Sequence, residues 1–336
     1  MKDLLKPLKI GNLELKNNIW YAPLAGCSDY SFRKLSSLYG PGLYFCEMVK
    51  MDALIRHDPS TYHLLDYDTD MHPIGAQLCG SKVDLAGPCA KIIEDLGFDV
   101  VDLNCGCPVD KVTKDGSGSG LLKNPEKIGE ILYQMSKAVS IPVTVKIRIG
   151  WDMDHVFAKE ITKIAESAGA KAITIHARTR AQGYKGPADW SHIKDCVEVA
   201  KSIKVIGNGD VVDGISAKKL LSDTGCDGIL IGRATMGQPW LIQEISHYLI
   251  TNEALTPSHD VMREAFLNHL KIICEYENDR YSLLNLRKIA CWYLKEMPGT
   301  RELRELINKS RNLHDIFNII ESFNWTNATE PSLHQS

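Results

Sequence analysis

A (β/α)8 barrel followed by a small helical bundle is the architecture that this sequence of 336 residues predicts. Three observations carry that expectation. Eight short apolar runs recur through the first 235 residues, mostly separated by stretches of helical period. Polar or small residues stand just past every run, as they do around the C-terminal rim of a barrel, where binding and chemistry gather. After Tyr248 the strand pattern stops and amphipathic helical segments take over.

The runs are 19–23, 43–46, 74–78, 100–103, 143–147, 172–175, 204–206 and 228–231. Helix signals fill the gaps. Residues 81–95 read as a helix ended by Gly97, and Asn124-Pro125 opens another that reaches Ser136. Residues 155–168 stop at Gly169, and 214–223 stop at Gly225. Strands joined by helical crossovers imply a parallel sheet, and eight of them close into a barrel. Ahead of the first run, Leu8-Lys-Ile-Gly-Asn-Leu-Glu-Leu15 alternates around a Gly-Asn turn, which predicts a hairpin plugging the barrel floor.

The barrel is expected over 1–247 and the bundle over 256–325. In the second part Ser258 is positioned to cap a helix carrying Val261, Ala265, Leu267, Ile272 and Ile273. Further helices are expected at 283–295, 300–309 and 313–323, and the polar residues 326–336 read as a disordered tail.

The charge is nearly balanced, with 39 basic and 42 acidic residues and a net −3. Any nucleic-acid contact must therefore come from local patches rather than a global field. One such patch runs from Arg287 and Lys288 to Arg311, with seven basic residues against three acidic. It is either a solvated face or a phosphate-contact surface. The N-terminus lacks the apolar stretch of a signal peptide, and no run approaches membrane-spanning length. Ten cysteines are scattered, many in or beside apolar segments, which fits reduced thiols in a soluble cytoplasmic protein. Cys105 and Cys107 form a Cys-x-Cys pair, but no second pair at ligand spacing joins them, so no metal site is expected.

The segment Asp102-Leu-Asn-Cys-Gly-Cys-Pro108 is the most informative in the chain. A buried strand ends at Asn104, and the Gly106-Cys107-Pro108 turn lifts a thiol onto the rim, where it can act as nucleophile or as proton donor. Around it stand Ala25-Gly26, Glu47, Gln77, Lys146 with Arg148, His176 with Arg178, Asn208-Gly-Asp210 and Gly232-Arg233. Each has a plain alternative: Gln77 as an edge-of-core amide, His176 as a structural histidine, Lys146 as a strand-end lysine reaching solvent. Their joint placement implies a ligand-binding rim.

Glycine turns after strands seven and eight commonly hold a phosphate on backbone N–H groups, and Arg233 supplies the opposite charge. A flavin mononucleotide (FMN) fits such a site. Gln77 and Asn208 offer amide donors and acceptors, and Lys146 offers an ammonium to a reduced ring. No G-x-G-x-x-G follows the first strand, so a Rossmann nicotinamide site is not indicated. Gly116-Ser-Gly-Ser-Gly120 reads as a flexible lid.

At this point the chain resembles the tRNA-dihydrouridine synthases, and among bacterial branches the B-type enzymes. The matching pieces are Ala22-Pro-Leu-Ala25, Ala76-Gln77, Asp102 to Pro108, Val145-Lys-Ile-Arg148, Ile175-His-Ala-Arg-Thr-Arg-Ala-Gln182, Gly207-Asn-Gly-Asp210, Ile231-Gly-Arg233 and Trp292-Tyr-Leu294. The resemblance implies reduction of the C5–C6 double bond of particular uridines in tRNA, using tightly bound FMN recharged by NADPH. It implies that Pro23, Leu24 and Ala25 back the flavin and that Gln77, Lys146 and His176 contact its ring or ribityl chain. Asn208, Gly209, Asp210, Gly232 and Arg233 then hold the ribityl and phosphate end. Cys107 is the implied proton donor, and Asn104 is expected to touch the uracil.

A free cysteine with a pKa near ~8.5 is mostly S–H at neutral pH, which suits an acid rather than a nucleophile. The target base must be flipped out of the tRNA at a cost of roughly a few kcal/mol. Arg148, Arg178, Arg180 and Lys185 on the same rim, with Arg287 and Lys288 in the bundle, are the candidate RNA contacts, although a solvated loop explains Lys185 nearly as well. One departure is Ile289, where family members often carry His after the Arg-Lys pair. Two rivals remain: an FMN barrel such as a dihydroorotate dehydrogenase acting on a free pyrimidine, and a non-catalytic RNA-binding protein. No obligate protein partner is inferred.

Overall fold

The computed structural model describes residues 4–297 and 299–325 of the chain. The tail expected at 326–336 lies outside the described residues. The hairpin comes first, as β1 (Leu8–Ile10) and β2 (Leu13–Leu15) paired antiparallel across Gly11, whose φ of 59° suits the turn. Eight strands follow: β3 (Ile19–Tyr21), β4 (Leu43–Lys50), β5 (Ile74–Cys79), β6 (Val100–Cys105), β7 (Val143–Arg148), β8 (Ala172–His176), β9 (Lys204–Asn208) and β10 (Gly228–Ile231). They close into a barrel of parallel neighbours, with β10 pairing both β9 and β3. All eight expected runs are barrel strands.

Two cores follow from the period-two alternation of these strands. One set of side chains faces outward against the surrounding helices, as Ile19, Ile74, Val101, Val145, Ile173, Val205 and Ile229 do. The other fills the interior. There Trp20, Leu43, Phe45, Val100, Ala172, Ile206 and Leu230 pack against Leu8, Ile10 and Leu15 of the hairpin. Leu43, Val100 and Ala172 open their strands, so the hairpin closes the N-terminal end of the barrel.

Helix boundaries follow their caps. Asn124 accepts the Lys127 N–H at the start of Pro125–Ala138, and Gly225, with φ 68°, ends Gly214–Thr224. Two of the departures from the expected bounds have a visible cause. The helix expected from residue 155 begins at Ala158, because Gly150 and Val156 form a β-bridge that holds His155 in the loop. Strand β4 runs on to Lys50 through a register shift between Phe45 and Met48, which hides its alternation in the sequence.

Beyond the barrel, Ser258 caps His259–Tyr276, followed by Asp279–Glu296, Arg301–Lys309 and Leu313–Ser322. Their apolar faces share a separate core that includes Phe266, Leu270, Leu286, Tyr293, Leu303 and Ile316. Trp240 and Leu35 of the barrel part join this core, which attaches the bundle to one side of the barrel. Among the described residues no helix is long and apolar enough to cross a membrane.

Candidate active site

The interior of the barrel changes character toward its C-terminal end. Asp102 of β6 sits between Gln77 of β5 and Thr144 of β7, its cross-strand partners. Two residues on, and therefore on the same face, Asn104 is level with Lys146. Arg148, His176 and Asn208 share the last register positions of β7, β8 and β9. Sequence and register together thus stack polar side chains at the mouth above an apolar floor.

These groups are hydrogen-bonded to one another. Gln77 Nε2 donates to Asp102 at 2.7 Å and Thr144 Oγ1 donates to the same carboxylate at 2.6 Å. Asn104 Nδ2 donates to Gln77 Oε1 at 2.7 Å. Asn104 Oδ1 in turn accepts the N–H groups of Gly106 and Cys107 at 3.1 and 2.9 Å. Lys146 Nζ donates to Asn208 Oδ1 at 3.1 Å, and Asn208 Nδ2 donates to the Leu230 carbonyl at 2.7 Å.

Cys107 stands half-buried on the loop after β6, whereas Cys105, two residues back in the strand, is buried in the outer core. The Gly116–Gly120 segment is not a lid. It runs into a 3-10 turn, Gly118–Lys123, beneath the loop. Ser119 donates to the Cys107 carbonyl from both N and Oγ, at 3.0 and 2.9 Å. Gly118 has φ 58° and approaches so closely that a Cβ there would lie 2.9 Å from Cys107 O. The glycines and serines permit close packing rather than motion.

The mouth is strongly positive. His176 is held neutral, its pKa lowered to about 2, by burial first and then by the charges of Lys146, Arg148, Arg178 and Arg233. Burial lowers the Lys146 ammonium to about 8, with Arg148 adding to the effect and Asp102 opposing it. Burial likewise raises the Asp102 carboxyl to about 6, against the hydrogen bonds from Thr144 and Gln77.

The sequence-expected residues divide by position. Gln77, Asn104, Lys146, His176, Asn208 and Cys107 converge at the mouth. Pro23 and Leu24 are half-buried in the loop after β3, with Ala25 exposed beside them. An added Cβ on Gly232 would stand at ordinary contact distance from Ala22 and Leu24, both at 3.8 Å, so the first and last rim loops lie side by side. Gly209 is packed instead, with φ 119° and Ala188 Cβ 2.8 Å from where its Cβ would be. Asp210 turns to Arg178, whose Nη2 contacts both carboxylate oxygens at 2.8 Å.

Arg178 is 3% exposed and also donates to Gly186 O, so it lies beneath the surface on which RNA was expected to meet it. Arg148, 2% exposed, is bound to three backbone carbonyls and is likewise internal. Arg180 pairs with Asp110 and lies 4.5 Å from the Trp151 ring, over which Lys123 Nζ also stands at 3.7 Å. Lys185 is exposed. In the bundle, Arg287 turns inward to the Ser310 carbonyl, while Lys288 Nζ reaches Gly26 O of the first rim loop at 2.8 Å. Ile289 is fully buried in the bundle core.

Sequence reasoning assigned no role to Asp102, Trp151 or Tyr184, and placed Glu47 on the rim without a task of its own. An acid inside the apolar run Val100-Val-Asp-Leu was a usable signal for Asp102. Glu47 is buried and accepts the Gly26 N–H, joining the loop that Lys288 holds. Tyr184 is exposed, with the Arg233 guanidinium 4.0 Å over its ring.

Comparison with known proteins adds the following. Residues 20–324 match the family model described as dihydrouridine synthase (Dus). A probable tRNA-dihydrouridine synthase of Rickettsia bellii is 38% identical over 303 residues, covering 90% of this chain and 93% of that protein. The tRNA-dihydrouridine synthase B of Pseudomonas putida is 37% identical over 305 residues, 90% of each chain. Among solved structures, morphinone reductase superposes with a TM-score of 0.54 at 13% identity, over 77% of this chain and 92% of its own. That last likeness concerns the fold alone.

Proposed function

We propose, because this chain belongs to the dihydrouridine synthase family, that it is a flavin-dependent oxidoreductase reducing the C5–C6 double bond of specific uridines in tRNA, with FMN as its resident cofactor and NADPH as reductant. One observation carries the reading: four basic side chains converge on a neutral His176 at the barrel mouth, beside the loop that bears Cys107. Arg178 is paired with Asp210, but gathering so many like charges in a largely buried mouth is costly unless a further anion offsets them.

The donor set fits FMN. Arg233 and the Gly232 turn suit the phosphate, and Asn208 and His176 suit the ribityl hydroxyls and ring edge. The Gln77 amide and the Lys146 ammonium suit the polar edge of the ring, while Pro23, Leu24 and Ala25 offer an apolar backing. When bound, the flavin supplies the reducing equivalents that the uracil ring accepts at C6.

The chain's own residues do the rest. Cys107 Sγ–H gives the proton that the reduced ring needs at C5, and the hydrogen bonds of Asn104 and Ser119 to its backbone keep that thiol on the rim. Asn104, 8% exposed, has both ends of its amide engaged, so its part is to orient the thiol as much as to meet the base. A flipped uridine costs roughly a few kcal/mol. Lys185, Lys288 and Arg180 are the cations near the surface that offset it through phosphate contacts.

The test is Cys107→Ala on the flavin-loaded protein. Dihydrouridine formation in unmodified tRNA is expected to fall by about 10²–10⁴, the span of general acid catalysis, while the protein stays yellow. Unchanged turnover, or reduction of free uracil as fast as of tRNA, would overturn the reading.

A further inference from the structure

We propose that Asp102 is a positioning residue: through Gln77 and Asn104 it fixes the backbone of Gly106 and Cys107, and thereby the thiol. The inference rests on the reading of Cys107 as the acting group, and concerns what holds it in place.

A carboxylate at this depth requires a reason. Asp102 is 3% exposed inside the barrel, and its oxygens face neutral donors, Gln77 Nε2 and Thr144 Oγ1. Burial pushes it toward the protonated state, against the hydrogen bonds from Thr144 and Gln77 and the charge of Lys146. An aliphatic side chain would fill the same layer without that desolvation. Nor does Asp102 lie on the surface of the mouth, where it could meet a substrate directly.

The direction of the hydrogen bonds supplies the reason. Backbone N–H groups only donate, so Gly106 and Cys107 require the oxygen of the Asn104 amide, at 3.1 and 2.9 Å. That leaves Asn104 Nδ2 facing Gln77, which must then present Oε1, at 2.7 Å. Gln77 in turn has only its NH2 group left for the next position, so residue 102 must accept there, and at 2.7 Å it does. Every amide in the line has one allowed orientation, and a carboxylate, which only accepts, is the end that cannot be turned round. Register makes the line possible: Gln77 and Thr144 flank Asp102 in one layer, and Asn104 projects from the same face two residues on.

Two substitutions separate this from a general structural role. At position 102, Asn still accepts from Gln77 with Oδ1 while Nδ2 turns to the Thr144 hydroxyl, so the relay survives. Leu leaves Gln77 Nε2 without a partner, and the two amides upstream lose their fixed orientation. The experiment is hydrogen–deuterium exchange of the purified holoprotein, resolved at Gly106 and Cys107. In Asp102→Leu exchange of these two amides is expected to quicken about tenfold, as for the loss of one hydrogen bond of this class, with the helix Pro125–Ala138 unchanged. Asp102→Asn is expected to stay within about threefold of wild type.

Unchanged exchange at Gly106 and Cys107 in Asp102→Leu overturns the proposal. So does equal acceleration in the Asn and Leu variants, which would assign the effect to charge, and so does acceleration spread evenly over the barrel. Should Asp102→Leu fail to fold, Gln77→Leu cuts the line one link nearer and must give the same local acceleration. The relay and the proton-donor reading fail separately, because turnover retained in Cys107→Ala removes the latter and leaves the exchange result standing.

Discussion

Arg148 donates from Nε to the carbonyl oxygen of Gly106 at 3.0 Å, so a strand-end cation grips the residue before Cys107. Its Nη1 reaches the carbonyls of Thr179 and Gly183 at 2.8 and 2.7 Å, tying the loops after β6 and β8 together. Arg148→Met removes the donor from three carbonyls, each worth about 1 kcal/mol or more when left unmatched in a buried setting. The expected outcome is a lower urea midpoint and at least tenfold slower tRNA reduction. The measurements are equilibrium unfolding and single-turnover kinetics, and wild-type values for both would refute the bracing role.

Gly118 provides a sharper local test. Its left-handed backbone and the 2.9 Å approach to Cys107 O leave no place for a methyl group. Gly118→Ala is expected to destabilise by more than about 1 kcal/mol and to lower turnover through displacement of the thiol. A variant of wild-type stability and rate would show that the segment yields.

Lys146 gives a pH signature. Its folded pKa of about 8 lies below the ordinary 10.5, so between those values the unfolded chain binds the extra proton. Stability contributed at this site therefore rises as pH increases across that window. Urea midpoints of the flavin-free protein at pH 7.5, 9 and 10 should show wild type gaining on Lys146→Met. A constant difference would contradict the buried, destabilised ammonium.

Lys288 joins the bundle to the first rim loop through Gly26 O, and its exposed ammonium has further donors for a phosphate. Lys288→Gln is expected to weaken tRNA binding and to reduce the slope of log affinity against log salt by about one. Arg287, turned inward to Ser310, serves as the control from the same pair. Conservative replacement of Arg287 should leave the slope in place, and an equal drop for both would return the whole patch to RNA binding.

The barrel was legible because its strands are short apolar runs separated by capped helices, and burial on both faces leaves few alternatives. Cys107, Gln77, Lys146, His176 and Asn208 were legible as strand-end polar residues, since the C-terminal ends of parallel strands all open onto one rim. What the sequence hid depends on three-dimensional pairing. Nothing local says that Arg178 is matched to Asp210 thirty-two residues away, so its charge read as available. Gly116 to Gly120 read as flexible because glycine signals both motion and close approach, and only the neighbouring Cys107 carbonyl decides between them. Ile289 read as a departure at an expected RNA contact, and its side chain is committed to the bundle core.

The hairpin of β1 and β2 has a kinetic corollary. With Leu8, Ile10 and Leu15 stoppering one end, the barrel has a single doorway. In the proposed reaction the nicotinamide donor and the RNA must use that opening by turns. Initial rates are then expected to follow alternating binding, with an excess of either visitor obstructing the other.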